Sequence, residues 1–360
     1  MASEMITLEA PVVRDLVARL FRAVGVDQDG AEISARCLVR ADLRGVDTHG
    51  IVRMPNYLTR IADGLVAQSP ALEPEFVGAS VARLDGGNGL GFVVATKAVD
   101  CAIEMAGKTG LGLVGVLNSS HYGMGATYLL QAIEAGFAAM VFTNSAPAMP
   151  PWGGRGEMFG TSPFAVGVPS PNSVPFVLDM SPTVVARGKI RKAEREGRPI
   201  PEGWALDANG ASTTNPTEAL ESGSLLPIGA HKGSGMSMML DILCGVLTGA
   251  SFAGDVGDQY KQHDRPQGVG HFVLVMKPDL FMSAEDIAAR MAHLVDTVKA
   301  CPKAAGIAEI FLPGEQEQNL ETQRLVEGIP YRVADLVPLV QAARQLGVEL
   351  PDALDRAVSS

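Results

Sequence analysis

The sequence predicts an α/β (α+β) protein in which a glycine-rich, sheet-forming centre is accompanied by a separate helical part built from the two chain ends. Three observations lead to this class. From Thr7 to Arg60 apolar residues recur at three- and four-residue steps with no strand signal. From about Val77 glycine becomes frequent and short β-rich runs alternate with helical stretches. From Gln316 to Leu346 the pattern is helical again, and these helices are expected to pack back on the N-terminal ones. The expected divisions are an N-terminal helical domain over 1–75, a central α/β domain over 76–312 and C-terminal helices over 313–360.

Taken in order, Thr7 can N-cap a first helix carrying Leu8, Val12, Val13, Leu16, Leu20 and Phe21, with Pro11 in its first turn where proline is tolerated. Asp27 opens a second helix through Ile33, Cys37, Leu38 and Leu43, which Gly45 ends. A third runs from about Ile51 to Ile61. The centre then reads as helix Ala95–Lys108, strand Gly112–Leu117, helix Gly125–Ala135 and strand Ala138–Thr143. Further strands are expected at Phe164–Val168, Phe176–Met180, Phe272–Met276 and Ala308–Phe311. The proline- and glycine-rich stretch Ser145–Ser162 reads as a functional loop, and the charged, turn-rich segment Gly188–Gly210 as cover for one sheet edge. Ser283-Ala284-Glu285-Asp286 is a capping box that opens a helix to about Lys299.

Composition narrows the function classes. At 360 residues, 47% hydrophobic and 19% charged, the chain can bury a sizeable core. A formal net charge of −11 argues against nucleic acid or an anionic membrane surface as partner. The most apolar helix, Met236–Leu247, is interrupted by Asp241 and Gly245 and is too short to span a bilayer. MASEMITLEA carries acids where a signal peptide needs basic residues. Cys37, Cys101, Cys244 and Cys301 are far apart and read as reduced core residues of a cytoplasmic protein.

Gly110-Leu111-Gly112-Leu113-Val114-Gly115 matches G-x-G-x-x-G literally, and Glu134 stands at a suitable distance downstream. The dinucleotide fingerprint needs a strand before the glycines and a helix after them. Here a helix precedes and a strand continues, so the glycines are a helix stop and a tight strand entry. Phosphate-loop, H-E-x-x-H and G-x-S-x-G motifs are absent, and scattered histidines argue against a metal site.

Two loops carry chemistry. Asn118-Ser119-Ser120-His121-Tyr122-Gly123-Met124-Gly125 places an imidazole at the mouth of a strand-to-helix turn. Arg44-Gly45-Val46-Asp47-Thr48-His49-Gly50 with Arg53 places a second imidazole four residues before a guanidinium. Such a pair suits an acid substrate: the arginine clamps a carboxylate while the histidine moves a proton on the neighbouring carbon's substituent. The bland alternatives are a helix-surface ion pair for Arg53 and backbone-satisfied loop histidines. Gly229-Ala230-His231-Lys232-Gly233-Ser234-Gly235 before an apolar helix reads as an anion site for a cofactor phosphate, or as a plain glycine-rich helix entry. Pro313-Gly314-Glu315 and Asp179-Met180-Ser181, each at a strand end, can turn a carboxylate toward a ribose. Arg187, Lys189, Arg191 and Lys192 form a basic cluster that either holds a 2′-phosphate or is a solvated face.

These segments together resemble the malate/L-lactate/L-sulfolactate dehydrogenase family of non-Rossmann oxidoreductases, which includes ureidoglycolate dehydrogenase, diketogulonate reductase and cyclic-imine carboxylate reductases. Further matching pieces are Gly160-Thr161-Ser162-Pro163-Phe164-Ala165, Ala186-Arg187-Gly188-Lys189-Ile190 and Pro201-Glu202-Gly203-Trp204-Ala205-Leu206-Asp207. The resemblance implies a homodimer and a cofactor domain with a largely antiparallel mixed sheet. It also implies NAD(P)-dependent hydride transfer at a carbon next to a carboxylate, so the central domain becomes the NAD(P)-binding and catalytic one. Carried over by motif, His49 or His121 is the proton donor/acceptor with Thr48 as its relay. Arg53 holds the substrate carboxylate, with Thr161 and Tyr57 beside the substrate. The cofactor residues are His121, Tyr122, Gly123, Met124, Gly125, Ser145, Asp179, Met180, Ser181, His231, Lys232, Pro313, Gly314 and Glu315.

The chain departs from the family pattern at three places: Thr48 stands where members often carry serine, Ser162 where many carry asparagine, and Lys189 where the imine reductases carry an aspartate. Lysine there favours a small 2-hydroxy acid or related substrate over a cyclic imino acid; a ureidoglycolate-type substrate is a further alternative.

Overall fold

The structure, a computed structural model, describes residues 4–170 and 174–359. Residues 1–3, the start of the acidic N-terminal stretch, lie outside the described residues. Its centre is a seven-stranded sheet in the order Glu75–Gly78, Val81–Asp85, Leu111–Ser119, Val269–Met276, Ala138–Thr143, Phe164–Val168, Phe176–Met180. Only Val81–Asp85 with Leu111–Ser119 pairs in parallel; the other five neighbouring pairs are antiparallel. The sheet is therefore mixed and largely antiparallel, and the chain is α/β.

Alternation explains how the middle strands sit. In Leu111–Ser119, Gly112, Val114 and Val116 point to the covered face, and in Val269–Met276 Val273 and Val275 do the same. Helix Gly91–Thr109 lies over them with Val94, Ala95, Ala98, Ala102 and Met105. Small residues let this helix approach closely. Gly110, at φ +89, ends it in the left-handed conformation that favours glycine. The glycines of the apparent dinucleotide fingerprint are thus a helix stop and strand positions, as the sequence predicts.

The chain ends share one core: Leu16, Leu20 and Phe21 from Ala10–Ala23 and Leu38 from Gln28–Leu43 pack with Leu336, Leu339 and Val340 from Val333–Gln345. Asp27 caps the second helix, accepting a hydrogen bond from the Gly30 N–H at 2.7 Å. Two expectations fail in this region. Thr7 caps nothing, because Met5–Leu8 is a strand paired antiparallel with Ile329–Arg332. The first helix starts at Ala10 after Glu9, with no side-chain cap. The Ala308–Phe311 run is not a strand, since no neighbour offers it a ladder.

Ser145–Ser162 is a long loop folded on itself through the short pair Pro147–Met149 and Phe159–Gly160. The segment after Ala186 forms helix Arg187–Arg195 and a three-stranded sheet around Ile190, Ala193, Ile200, Ala205 and Leu225, a small core of its own rather than cover for a strand edge. Ser283 accepts from the Asp286 N–H at 3.1 Å and caps Ala284–Lys299. Cys37, Cys101 and Cys244 are buried, but Cys301 is exposed and so is not a core residue; all four are free thiols. Among the described residues no helix is long and apolar enough to cross a membrane.

The helix-on-sheet contact gives a first prediction. A methyl at Gly112 would stand 2.1 Å from the Ala102 carbonyl oxygen. Gly112→Ala is expected to destabilise the fold by about 1–3 kcal/mol through overpacking. Denaturant unfolding checks it; an unchanged midpoint would show that the helix has room to move.

Candidate active site

The two histidine loops meet where the helical part touches the sheet. Strand Leu111–Ser119 ends and the chain turns through His121 toward helix Ala126–Glu134. Facing it, helix Gln28–Leu43 gives way to short turns at Asp47–His49 and Ile51–Arg53 before helix Met54–Ala62. The His49 and His121 rings stack with centroids 5.6 Å apart. Arg53 Nη1 stands 3.2 Å from His121 Nε2, and the Tyr57 hydroxyl 2.8 Å from His121 Nδ1. Arg53 also donates from Nε to the Thr48 carbonyl, and the Thr48 hydroxyl stands 3.0 Å from His49 Nδ1. His49, Arg53, Tyr57, Thr48 and His121 are therefore one cluster.

Both His121 ring nitrogens face donors: the Arg53 guanidinium at Nε2, and the Gly123 N–H at 3.2 Å together with the Tyr57 hydroxyl at Nδ1. Burial, reinforced by the Arg53 charge, holds His49 down to about 3. The same two causes hold His121 well below the ordinary imidazole range. Both rings are neutral around pH 7. Burial first of all pushes the Tyr57 phenol above its usual value.

A ring of supporting groups, unsignalled by motif, holds the cluster. The Gln267 side chain accepts from the His121 N–H at 3.1 Å and donates to the Gly257 carbonyl at 3.2 Å. Fully buried Arg60 donates to the carbonyls of Gln262 at 2.7 Å and Arg265 at 3.2 Å, pinning that loop to the helix that carries Tyr57. Buried Asp42 accepts from the Ile51 N–H at 3.1 Å and the Tyr331 hydroxyl at 2.9 Å, tying the Arg53 turn to the C-terminal segment. Burial raises Asp42 to about 7. His271 lies under Tyr122, its ring stacked at 4.9 Å, and bridges Thr143 at 2.8 Å and Ser119 at 2.7 Å.

A second group of candidates gathers beyond the His121–Gly125 loop. Asp179, at the end of Phe176–Met180, accepts from the Ala126 N–H at 2.8 Å and so caps the helix that follows the loop; burial raises it to about 6. Ser181 donates to the Thr161 carbonyl at 2.7 Å, and Ser145 accepts from the Ser162 N–H at 3.1 Å and lies 3.4 Å from the Thr161 hydroxyl. Tyr122 and Met124 are buried in the sheet core, while Met180 is half-buried. Pro313 accepts from the Val177 N–H at 3.0 Å, which sets the Pro313–Glu315 turn beside the same strand. Glu315 itself pairs with Lys299 at 2.6 Å and accepts from the Leu312 N–H at 2.8 Å.

Helix His231–Asp241 packs here too, with the Gly233 backbone against the Pro182 carbonyl. Its early amides are already used: Lys232, Gly233 and Ser234 donate to Gly229, Ile228 and Ala230. His231 and Lys232 extend into solvent and are not drawn into the histidine cluster. An anion at this end would be held by side-chain charge rather than by open amides. The buried Ser162 hydroxyl has no partner among the described residues, while the half-buried Ser145, Thr161 and Ser181 could offer their hydroxyls to a polar ligand. These residues fit a dinucleotide. Among the described residues no cluster of metal-ligating side chains occurs.

The sequence matches the family described as malate/L-lactate dehydrogenase over residues 8–338. The chain belongs to this family. It is 37% identical over 340 residues to a malate dehydrogenase of Pyrococcus abyssi, covering 92% of this chain and 93% of that one. It is 34% identical over 322 residues to a (2R)-3-sulfolactate dehydrogenase (NADP(+)) of Chromohalobacter salexigens, with 89% and 93% covered. The solved structure of a sulfolactate dehydrogenase from Methanocaldococcus jannaschii superposes with a TM-score of 0.89 at 32% identity, covering 96% of this chain and 98% of that one. The family member described here is an oxidoreductase, and the non-Rossmann sheet expected from the resemblance is the one observed.

His271 yields a prediction with a definite sign. Burial holds it down to about 3, against 6.5 for a free histidine. Its contribution to stability is complete above pH 6.5 and is lost as pH falls through that window toward 3, by about 1.4 kcal/mol per pH unit. The penalty of His271→Gln is therefore expected to be largest near pH 7 and to shrink by pH 5. Paired unfolding curves at the two pH values check it; a constant penalty would mean that the buried imidazole is not neutral.

Proposed function

We propose that this family member is an NAD(P)-dependent dehydrogenase that interconverts a small 2-hydroxy acid (malate-, lactate- or sulfolactate-like) and its 2-oxo acid. The observation that carries the reading is the Arg53 guanidinium 3.2 Å from His121 Nε2, a fixed cation and a neutral imidazole at one point. The similarity to malate and sulfolactate dehydrogenases supports it.

The substrate carboxylate takes Arg53 in a bidentate pair, drawing the guanidinium off Nε2. The freed lone pair then accepts the proton of the 2-hydroxyl. Tyr57 and the Gly123 N–H hold the ring at Nδ1, which leaves Nε2 as the nitrogen turned toward Arg53 and the substrate. His49, stacked on His121 and linked to the Thr48 hydroxyl, offers a second proton-carrying group on the solvent side. The nicotinamide, NAD or NADP, supplies the hydride acceptor when bound. Ser145, Thr161, Asp179–Ser181, the Tyr122–Gly125 backbone, His231, Lys232 and the Pro313–Glu315 turn are the residues that would hold it. Free thiols fit a cytoplasmic protein. The exposed apolar face of Met238, Met239, Ile242, Val246 and Leu247 fits a homodimer. Light scattering is expected to give twice the chain mass of 37.7 kDa.

Activity tests follow from the roles. His121→Asn is expected to lower turnover by about 10²–10⁴-fold, the usual worth of a general base. Arg53→Gln is expected to raise KM for the acid much more than for the cofactor. The acid limb of kcat/KM for oxidation should fall below pH 6.5, because the base is active when neutral and its pKa is lowered. Full turnover in both His121→Asn and His49→Asn would overturn the reading.

A further inference from the structure

Helix Arg187–Arg195 does more than carry a basic surface. Its first turn reaches the catalytic cluster, since a methyl on Gly188 would stand 3.2 Å from the Thr48 methyl group. Arg191 follows Gly188 by three residues and so lies on the same face of the helix. From that face its guanidinium lies over the Tyr260 ring, 5.0 Å from the centroid. Arg53 lies over the same ring at 6.0 Å. Tyr260 thus links the arginine beside His121 to a second arginine from another part of the chain.

The neighbouring cations are largely accounted for. Arg187 pairs with Glu157, Lys192 with Glu196 at 3.9 Å and Arg195 with Asp335 at 3.5 Å. Among the described residues no carboxylate stands within ion-pair distance of Arg191. In a chain with 40 acids against 29 Lys and Arg, a cation left without an acid beside the reacting centre is a selective feature. Lys189 also lacks an acid partner, but it sits two residues from Arg191, roughly 200° round the helix and so away from Tyr260.

We propose that Arg191, steadied on Tyr260, is a specificity-determining residue that binds a second anionic group at the far end of the substrate. The preferred substrate class is then a 2-hydroxy acid with a distal carboxylate or sulfonate. This rests on the 2-hydroxy acid reading above and narrows it. Arg53 takes the carboxylate next to the reacting carbon, and Arg191 takes the distal acid across the tyrosine. An anion of the same chemistry, the 2′-phosphate of NADP, is the other source that a free guanidinium here can serve, and the test separates the two.

The experiment compares wild type and Arg191→Gln on malate and on lactate, each with NAD and with NADP. The wild type is expected to prefer malate. The variant is expected to lose about 10–100-fold in kcat/KM on malate, the worth of one charged hydrogen-bonded contact. On lactate its loss should stay below about 3-fold, and the NADP-to-NAD ratio and melting temperature should not move. Equal losses on both acids, no loss on malate, or a loss confined to NADP overturns the assignment. A wild type that oxidises lactate as well as malate also overturns it while leaving the 2-hydroxy acid reading intact. A wild type inert on both acids with both cofactors overturns the two together.

Discussion

The site depends on one guanidinium. Arg53 donates to the Thr48 carbonyl within its own turn and to His121 across the junction, so a single planar group joins the loop of the helical part to the loop of the sheet. Either contact alone would leave a loop histidine free to choose its direction. Together they orient His121, and Tyr57 fixes its other nitrogen from the helix that Arg53 begins. The surrounding framework keeps that junction in place. Asp42 holds the Ile51 amide, and its own carboxylate leaves no room for a side chain at residue 50, where a Cβ would lie 1.5 Å from its oxygen. Glycine at position 50 is therefore a packing requirement of the turn that carries His49 and Arg53.

The electrostatics follow from this geometry. Burying an imidazole disfavours its charged form, and a permanently charged guanidinium beside it does so again. Both effects push His49 and His121 the same way. In the proposed mechanism the arginine that takes the acid therefore also sets the protonation state of the imidazole beside it. A carboxylate that neutralised Arg53 would weaken one of the two causes and make the imidazole a better base, so on that mechanism binding and proton transfer would be coupled through one charge.

Much of the fold was legible because its strands are short, apolar and bounded by turn residues. Ala138–Thr143, Phe164–Val168 and Phe176–Met180 have the same limits in sequence and structure. The failed fingerprint was readable because order along the chain, helix then strand, is a local property. Met5–Leu8 was not, since its partner Ile329–Arg332 lies at the other end of the chain and four residues alone do not distinguish a strand from a helix start. Ala308–Phe311 misleads for the converse reason: apolar residues make a strand only where a neighbour offers a ladder. In the site, His49, Arg53 and His121 stood out as polar groups among glycines. Gln267, Arg60 and His271 did not, because their work is done through carbonyls, amides and hydroxyls that only folding brings near.

Helix N-termini in this molecule show why a local anion signal needs tertiary context. Sequence places two glycine-bearing helix starts beside the cofactor candidates, and free amides at such starts attract phosphate. At Ala126 the first amide is taken by the Asp179 carboxylate, and at His231 the following three are taken by the turn that precedes the helix. What remains for an anion is the helix dipole and the side chains of His231 and Lys232. Hydroxyls would do the rest: Ser145, Thr161 and Ser181 form a connected array. A dinucleotide held as proposed would meet hydroxyls and one exposed cation instead of a glycine cradle, and would need no Rossmann turn.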